Sequence, residues 1–146
     1  MAVKEIADDH HVLRHCRARL IDTSDLNNLQ PFPEAFELRA GEKYLSASYY
    51  EYFQGSHNDK LAKALQSLAG RFQGIKRKDA LLMMNAGEIR SCGTEYETKV
   101  RVVHQPTKDA PDYAGIRGIP SPPIAALNAL LANLAVRDVV LIEDVV

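Results

Sequence analysis

The amino-acid sequence predicts an α+β domain: a mixed or mainly antiparallel sheet of about five or six strands with two main helices packed on it. Three observations predict it. Short extended segments cluster in the first third of the chain. One amphipathic helical pattern lies in the middle and one almost wholly apolar helical pattern near the end, an order that suits helices on one sheet rather than alternating βαβ units. The length of 146 residues, with 46% hydrophobic and 25% charged residues, fits one core and one globular domain over 1–146. Residues 1–9 are the stretch that would be disordered if any is.

In chain order, 11–17 alternates, with Val12, Arg14 and Cys16 on one face of a strand and His11, Leu13 and His15 on the other. Residues 19–21 are expected to extend it. The polar, proline-bearing stretch 22–33 reads as a surface loop. Segments 35–39 and 43–48 read as extended pieces around the turn Ala40-Gly41-Glu42, and 49–53 as a helical turn. Ser56, three residues before Asp59, announces the helix 56–72 by a capping box. Leu61, Leu65, Leu68 and Phe72 give that helix one apolar stripe, and Gly70 or Gly74 is expected to end it.

The run 80–85, Ala-Leu-Leu-Met-Met-Asn, is short enough to be a buried strand. Asn85-Ala86-Gly87-Glu88 reads as a loop, with Gly87 at a positive φ. Residues 98–103 alternate as a strand with one wet face, and 106–120, rich in proline and glycine, reads as a loop. Ser121-Pro122-Pro123 opens the second helix, 122–136, with serine as its cap. Its residues are apolar nearly all round, so it should be buried on several sides. An apolar strand over 138–146 ends the chain and needs a sheet or a partner to cover it.

Composition bounds the function. Lys and Arg total 18 against 19 Asp and Glu, a net charge of −1, which argues against a dedicated nucleic-acid binder. Residues 1–53 carry six basic against nine acidic side chains and residues 54–146 twelve against ten, too weak a contrast to mark two domains. No apolar run approaches the ~20 residues a membrane helix needs. The first nine residues, with Glu5, Asp8 and Asp9, do not read as a signal peptide. Two cysteines, Cys16 and Cys92, are expected as reduced, buried thiols. Together these readings point to a cytoplasmic protein without a cofactor.

Four groups of residues are candidates for chemistry. His10, His11 and His15, beside Asp8 and Asp9, are residue types that bind metals, but their spacing matches no metal motif. Tyr44, Tyr49, Tyr50, Tyr52 and Phe53 hold half of the ten aromatics. Tyr49, Tyr50 and Tyr52 could cover a core edge or form a binding platform, with Tyr49, Tyr52 and Phe53 sharing a face if the turn is helical. Arg71, Lys76, Arg77 and Lys78 could hold a phosphate or an acidic partner. Arg14, Ser46 within Tyr44-Leu45-Ser46, and a glutamate such as Glu88 or Glu97 are a potential catalytic set. There is no Gly-x-Ser-x-Gly elbow, and His15 and Cys16 would point to opposite faces of their strand, leaving only a tertiary meeting of Cys92 with His104.

The Arg14, Ser46 and Glu88 or Glu97 set loosely resembles the Arg, Ser and Glu of ADP-ribosyltransferases, in residue types rather than in a motif. That resemblance implies Arg and Ser holding NAD and Glu polarising the ribose, hence a small nucleotide- or NAD-using transferase. The leading expectation is different: a small interaction or regulatory domain that binds a protein partner or a second copy of itself. It rests on the missing catalytic set, the apolar second helix and the apolar terminal strand.

Overall fold

The computed structural model describes residues 3–145. Seven strands form one sheet in which every neighbouring pair is antiparallel. They are β1 (Lys4–Glu5), β2 (His11–Cys16), β5 (Tyr44–Tyr49), β6 (Ala80–Asn85), β7 (Arg101–His104), β8 (Tyr113–Arg117) and β9 (Val139–Leu141), in the spatial order β1-β7-β8-β5-β2-β6-β9. A separate two-strand ladder joins β3 (Ile21–Asp22) to β4 (Gln30–Pro31). Three helices complete the fold: α1 (His57–Arg71), α2 (Ala86–Glu95) and α3 (Ala125–Ala135).

The alternation of β2 sorts the two faces of the sheet. Val12 and Cys16 join the larger core with Leu45, Ala47, Leu82, Met84 and Ile116, and α2 and α3 cover that face through Ile89, Leu127 and Leu131. Leu13 and Leu81 point the other way, where Leu61, Ala64 and Leu68 of α1 bury them with Phe53. The α1 stripe is therefore the expected one, with Leu65 at its half-buried margin. The capping box is present: Asp59 N–H donates to Ser56 Oγ at 3.2 Å and Ser56 N–H to Asp59 Oδ2 at 3.1 Å. Each bond satisfies a donor that the first helical turn leaves free.

Several local expectations change. Residues 85–88 are no loop: Asn85 caps α2 by accepting from Glu88 N–H at 2.9 Å. Gly87 has no positive φ; it sits in the first turn because a Cβ would come within 2.8 Å of Asp8 O. The stretch 106–120 holds β8, an interior strand between β7 and β5. Residues 18–20 form a 3-10 turn rather than more strand, and Pro33–Phe36 forms another that buries Ala35 and Phe36, replacing the extended piece at 35–39. The stretch 22–33 takes in β4 and the first residue of that second turn. α3 starts at Ala125 behind Ile124, with no side-chain cap from Ser121. Residues 4–9 lie against the domain: β1 pairs with β7, Ile6 is 2% exposed, and Arg90 binds Asp8.

The terminal strand is shorter than expected and is covered within the chain. β9 pairs with β6, and the next residues, Ile142–Asp144, turn in a 3-10 helix; Val146 lies outside the described residues. α3 packs against the 33–36 turn, α2, β4 and β6, so its apolar circumference is largely used inside the domain. Among the described residues no helix is long and apolar enough to cross a membrane.

Candidate functional site

The site arises from a break in the sheet. β2 keeps full register with β6 from His11 to Cys16, but pairs with β5 only at Val12↔Tyr49 and Leu13↔Ser48. Beyond Leu13 the two strands part. β5 stays paired with β8 on its other side through Tyr44–Ser48, so its edge facing β2 is left open. A cleft of about 890 Å³ occupies this opening and is walled by the C-terminal half of α1 and by residues 34–42.

Arg14 fills the gap in the ladder. Its Nη1 donates to Ser46 O at 2.8 Å, and Nε and Nη2 donate to Ala35 O at 3.3 and 3.1 Å. One guanidinium N–H thus satisfies a carbonyl of the open β5 edge and two more tie the 33–36 turn to the gap, leaving two of the five free. No carboxylate of the described residues forms an ion pair with Arg14. Burial pulls its pKa below the ordinary guanidinium value, only partly opposed by the nearby Cys16 and Glu42. An arginine remains a cation in proteins. Burial pushes the Cys16 thiol up to about 11, so it stays protonated.

His15, the next residue, lies on the α1 side. Its Nε2 is 2.9 Å from Asp79 Oδ2, and its ring packs on Phe72 at 5.1 Å between centroids. Asp79 is 1% exposed. Its carboxylate also accepts from Ala18 N–H at 2.8 Å and Lys76 N–H at 3.0 Å. Burial alone would raise the Asp79 pKa, but these three donors outweigh it and hold the pKa below the usual value. Burial lowers the His15 pKa more than the bond to Asp79 raises it. The pair is therefore a carboxylate and a neutral imidazole at neutral pH.

Across the cleft, Tyr113 and Ser46 share a hydroxyl–hydroxyl hydrogen bond of 2.7 Å. Burial raises the Tyr113 pKa despite that bond. Arg71 lies over the Tyr113 ring, 4.8 Å from its centroid, and donates from Nη2 to Ser48 Oγ at 2.9 Å. Its Nε is buried without a partner, and Asp112 Oδ2, 3.9 Å from its Nη2, is likewise unpartnered. Five arginines line the cleft (14, 17, 19, 39 and 71) against three glutamates (34, 37 and 42). Leu13, Leu68, Leu81 and Phe72 supply an apolar wall.

The candidate residues are distributed unevenly. Arg14, Ser46, His15 and Arg71 meet in the cleft. Glu88 does not: it lies on α2 and pairs with Arg137 at 3.0 Å, while Glu97 is exposed beyond that helix. Arg71 also parts from its basic neighbours. Lys78 and Arg77 pair with Glu143 at 2.6 and 3.5 Å, and Lys76 contributes its amide to Asp79. His10 bonds Tyr49 OH and His11 bonds Glu51 at 2.7 Å, so the three early histidines take three different partners. Among the described residues no group of three or more His, Cys, Asp or Glu side chains is placed to hold a metal ion.

Tyr49, Tyr50 and Tyr52 form a ring cluster with four of the five histidines, away from the cleft. Tyr49 stacks 5.0 Å from His104, Tyr52 lies 6.0 Å from the same ring, and Tyr50 OH bonds His57 Nδ1 at 2.6 Å. Tyr49 packs on the larger core and Phe53 on the smaller, so these rings do not share one face as expected. Cys16 and Cys92 are free and buried. Asp79, Asp112 and Tyr113 escaped sequence reasoning. Asp79 looks like the polar start of a strand, and Asp112-Tyr113 sits in proline-rich sequence. No family model, no curated protein and no solved structure matches this chain.

Proposed function

We propose that this domain binds an organic phosphate of about nucleotide size in the cleft between β2 and β5. The observation that carries the reading is the Arg14 cation: it is held by one carbonyl of the opened β5 edge and one of the 33–36 turn, and has no carboxylate partner among the described residues. Removing a charge from water is costly unless a counter-charge and hydrogen bonds compensate, and a phosphate supplies both. The surplus of arginines over glutamates in the lining acts in the same direction. The size of the cleft falls within the range of small-molecule sites. Its apolar wall of Leu13, Leu68, Leu81 and Phe72 suits the organic part of such a ligand.

Arg14 and Ser46 of the nucleotide-using alternative line this cleft, and Glu88 does not. Two motives for a protein-binding surface, the apolar helix and the terminal strand, are absorbed by packing within the chain. Calorimetric titration of the full chain with ADP and with pyrophosphate tests the proposal. Both should bind with Kd below ~1 mM. Arg14→Gln should weaken binding about 10- to 100-fold, the worth of a charged hydrogen bond. No heat with either ligand, or equal affinity in R14Q, contradicts the proposal.

A further inference from the structure

We propose that the cleft is hydrolytic, with His15 as general base toward a phosphoester or phosphoanhydride and Asp79 as its positioning residue; this rests on the phosphate-binding reading above. Geometry carries the argument. Neighbours on a strand point to opposite faces, yet Arg14 and His15 line one cavity because the sheet is open between β2 and β5. Asp79 is fixed by Ala18 and Lys76 amides and takes the third bond from His15 Nε2. A carboxylate accepts only, so His15 must carry its proton on Nε2 and keep the Nδ1 lone pair. Among the described residues no protein group bonds Nδ1. A carboxylate-oriented imidazole with a free nitrogen beside an electrophile site is the arrangement that general-base catalysis requires.

The step balances with water as the only co-reactant. His15 Nδ1 takes a proton from water as the water oxygen bonds to phosphorus. The P–O bond to the leaving group breaks, and its electron pair stays on the leaving oxygen. Tyr113, bonded to Ser46 and kept protonated by burial, gives that oxygen a proton. The imidazolium then returns its proton to the solvent and the phenolate regains one. Arg14 and Arg71 face the charge that builds on the phosphoryl oxygens. The charged groups around His15 are Asp79 from the turn before β6, Arg14 from its own strand, Arg17 just after that strand, and Arg71 of α1 within the same cleft lining.

The test incubates the full chain with ADP, pyrophosphate and bis(4-nitrophenyl) phosphate and follows P–O cleavage by 31P NMR. At least one probe should be cleaved, and His15→Ala should slow cleavage at least ~100-fold. Added imidazole should restore activity to H15A, which a purely structural role for His15 would not allow. The 15N spectrum of His15 should show the Nε2–H tautomer, and Asp79→Asn should remove that preference along with kcat. No cleavage of any probe, undiminished cleavage in H15A, loss without imidazole rescue, or an Nδ1–H tautomer overturns the inference. Pyrophosphate binding by the wild type without cleavage of any probe sinks hydrolysis alone. Absence of binding sinks the phosphate reading as well.

Discussion

Asp79 joins three parts of the site through one buried carboxylate. It is buried, it accepts from two backbone amides, and it orients His15. Asp79→Ala would strand the amides of Ala18 and Lys76, and an unsatisfied buried donor costs about 1–3 kcal/mol. The variant should lose about 3–5 kcal/mol in urea unfolding, the cost of breaking a buried charged network, against less for the near-isosteric Asp79→Asn. The pair also sets an acid limit. The folded pKa of His15 is lowered, so the unfolded chain binds more protons between that pKa and 6.5. Stability from His15 is present above 6.5 and is lost as pH falls toward the folded value. The lowered pKa of Asp79 adds a second loss at lower pH, below the ordinary carboxylate range near 3.8. Unfolding free energy measured from pH 8 to pH 4 should therefore fall first below about 6.5, and His15→Asn should remove that first decline.

Elements show where local pattern governs and where it does not. α1 was legible because its capping box, its stripe and its length agree. Ser56→Ala should cost about 1 kcal/mol in thermal unfolding by removing the cap for Asp59 N–H. α2 was hidden because Gly87, Ser91, Gly93 and Thr94 are poor helix formers within ten residues. Burial of Ile89 and Cys92 on the sheet, and the Asn85 cap, override that weakness. β8 was hidden by the prolines and glycines around it. Its exit shows why they are there: Gly118 has φ +87°, and a Cβ would come 2.2 Å from Lys99 O. Gly118→Ala should cost at least ~2 kcal/mol, since both the backbone strain and the clash with a carbonyl must be relieved. Of the site, Arg14 and Ser46 stand out by residue type alone. That they meet depends on the register lost between β2 and β5 after Leu13↔Ser48, a long-range pairing that no local spacing encodes.

At the scale of the whole molecule the sheet has two tasks. Its continuous part, with α2 and α3 behind it, builds the main core; its opening between β2 and β5 makes the cleft. The short β9 protects the continuous part by pairing with β6, a six-residue apolar strand. A chain ending at residue 137 should expose that β6 edge, and such edges pair with other chains. Sedimentation velocity should then show concentration-dependent association beyond that of the full chain; an unchanged profile would show that β6 needs no cover. The opened sheet is the more consequential feature, because it leaves Arg14 as a cation in a backbone gap, the group proposed to recognise a phosphate. A crystal structure of the full chain with ADP tests that most directly. Phosphate oxygens should lie between β2 and β5, within hydrogen-bond distance of Arg14, with the rest of the ligand against Leu68, Leu81 and Phe72. Nucleotide bound elsewhere, or an empty cleft at saturating ADP, would contradict it.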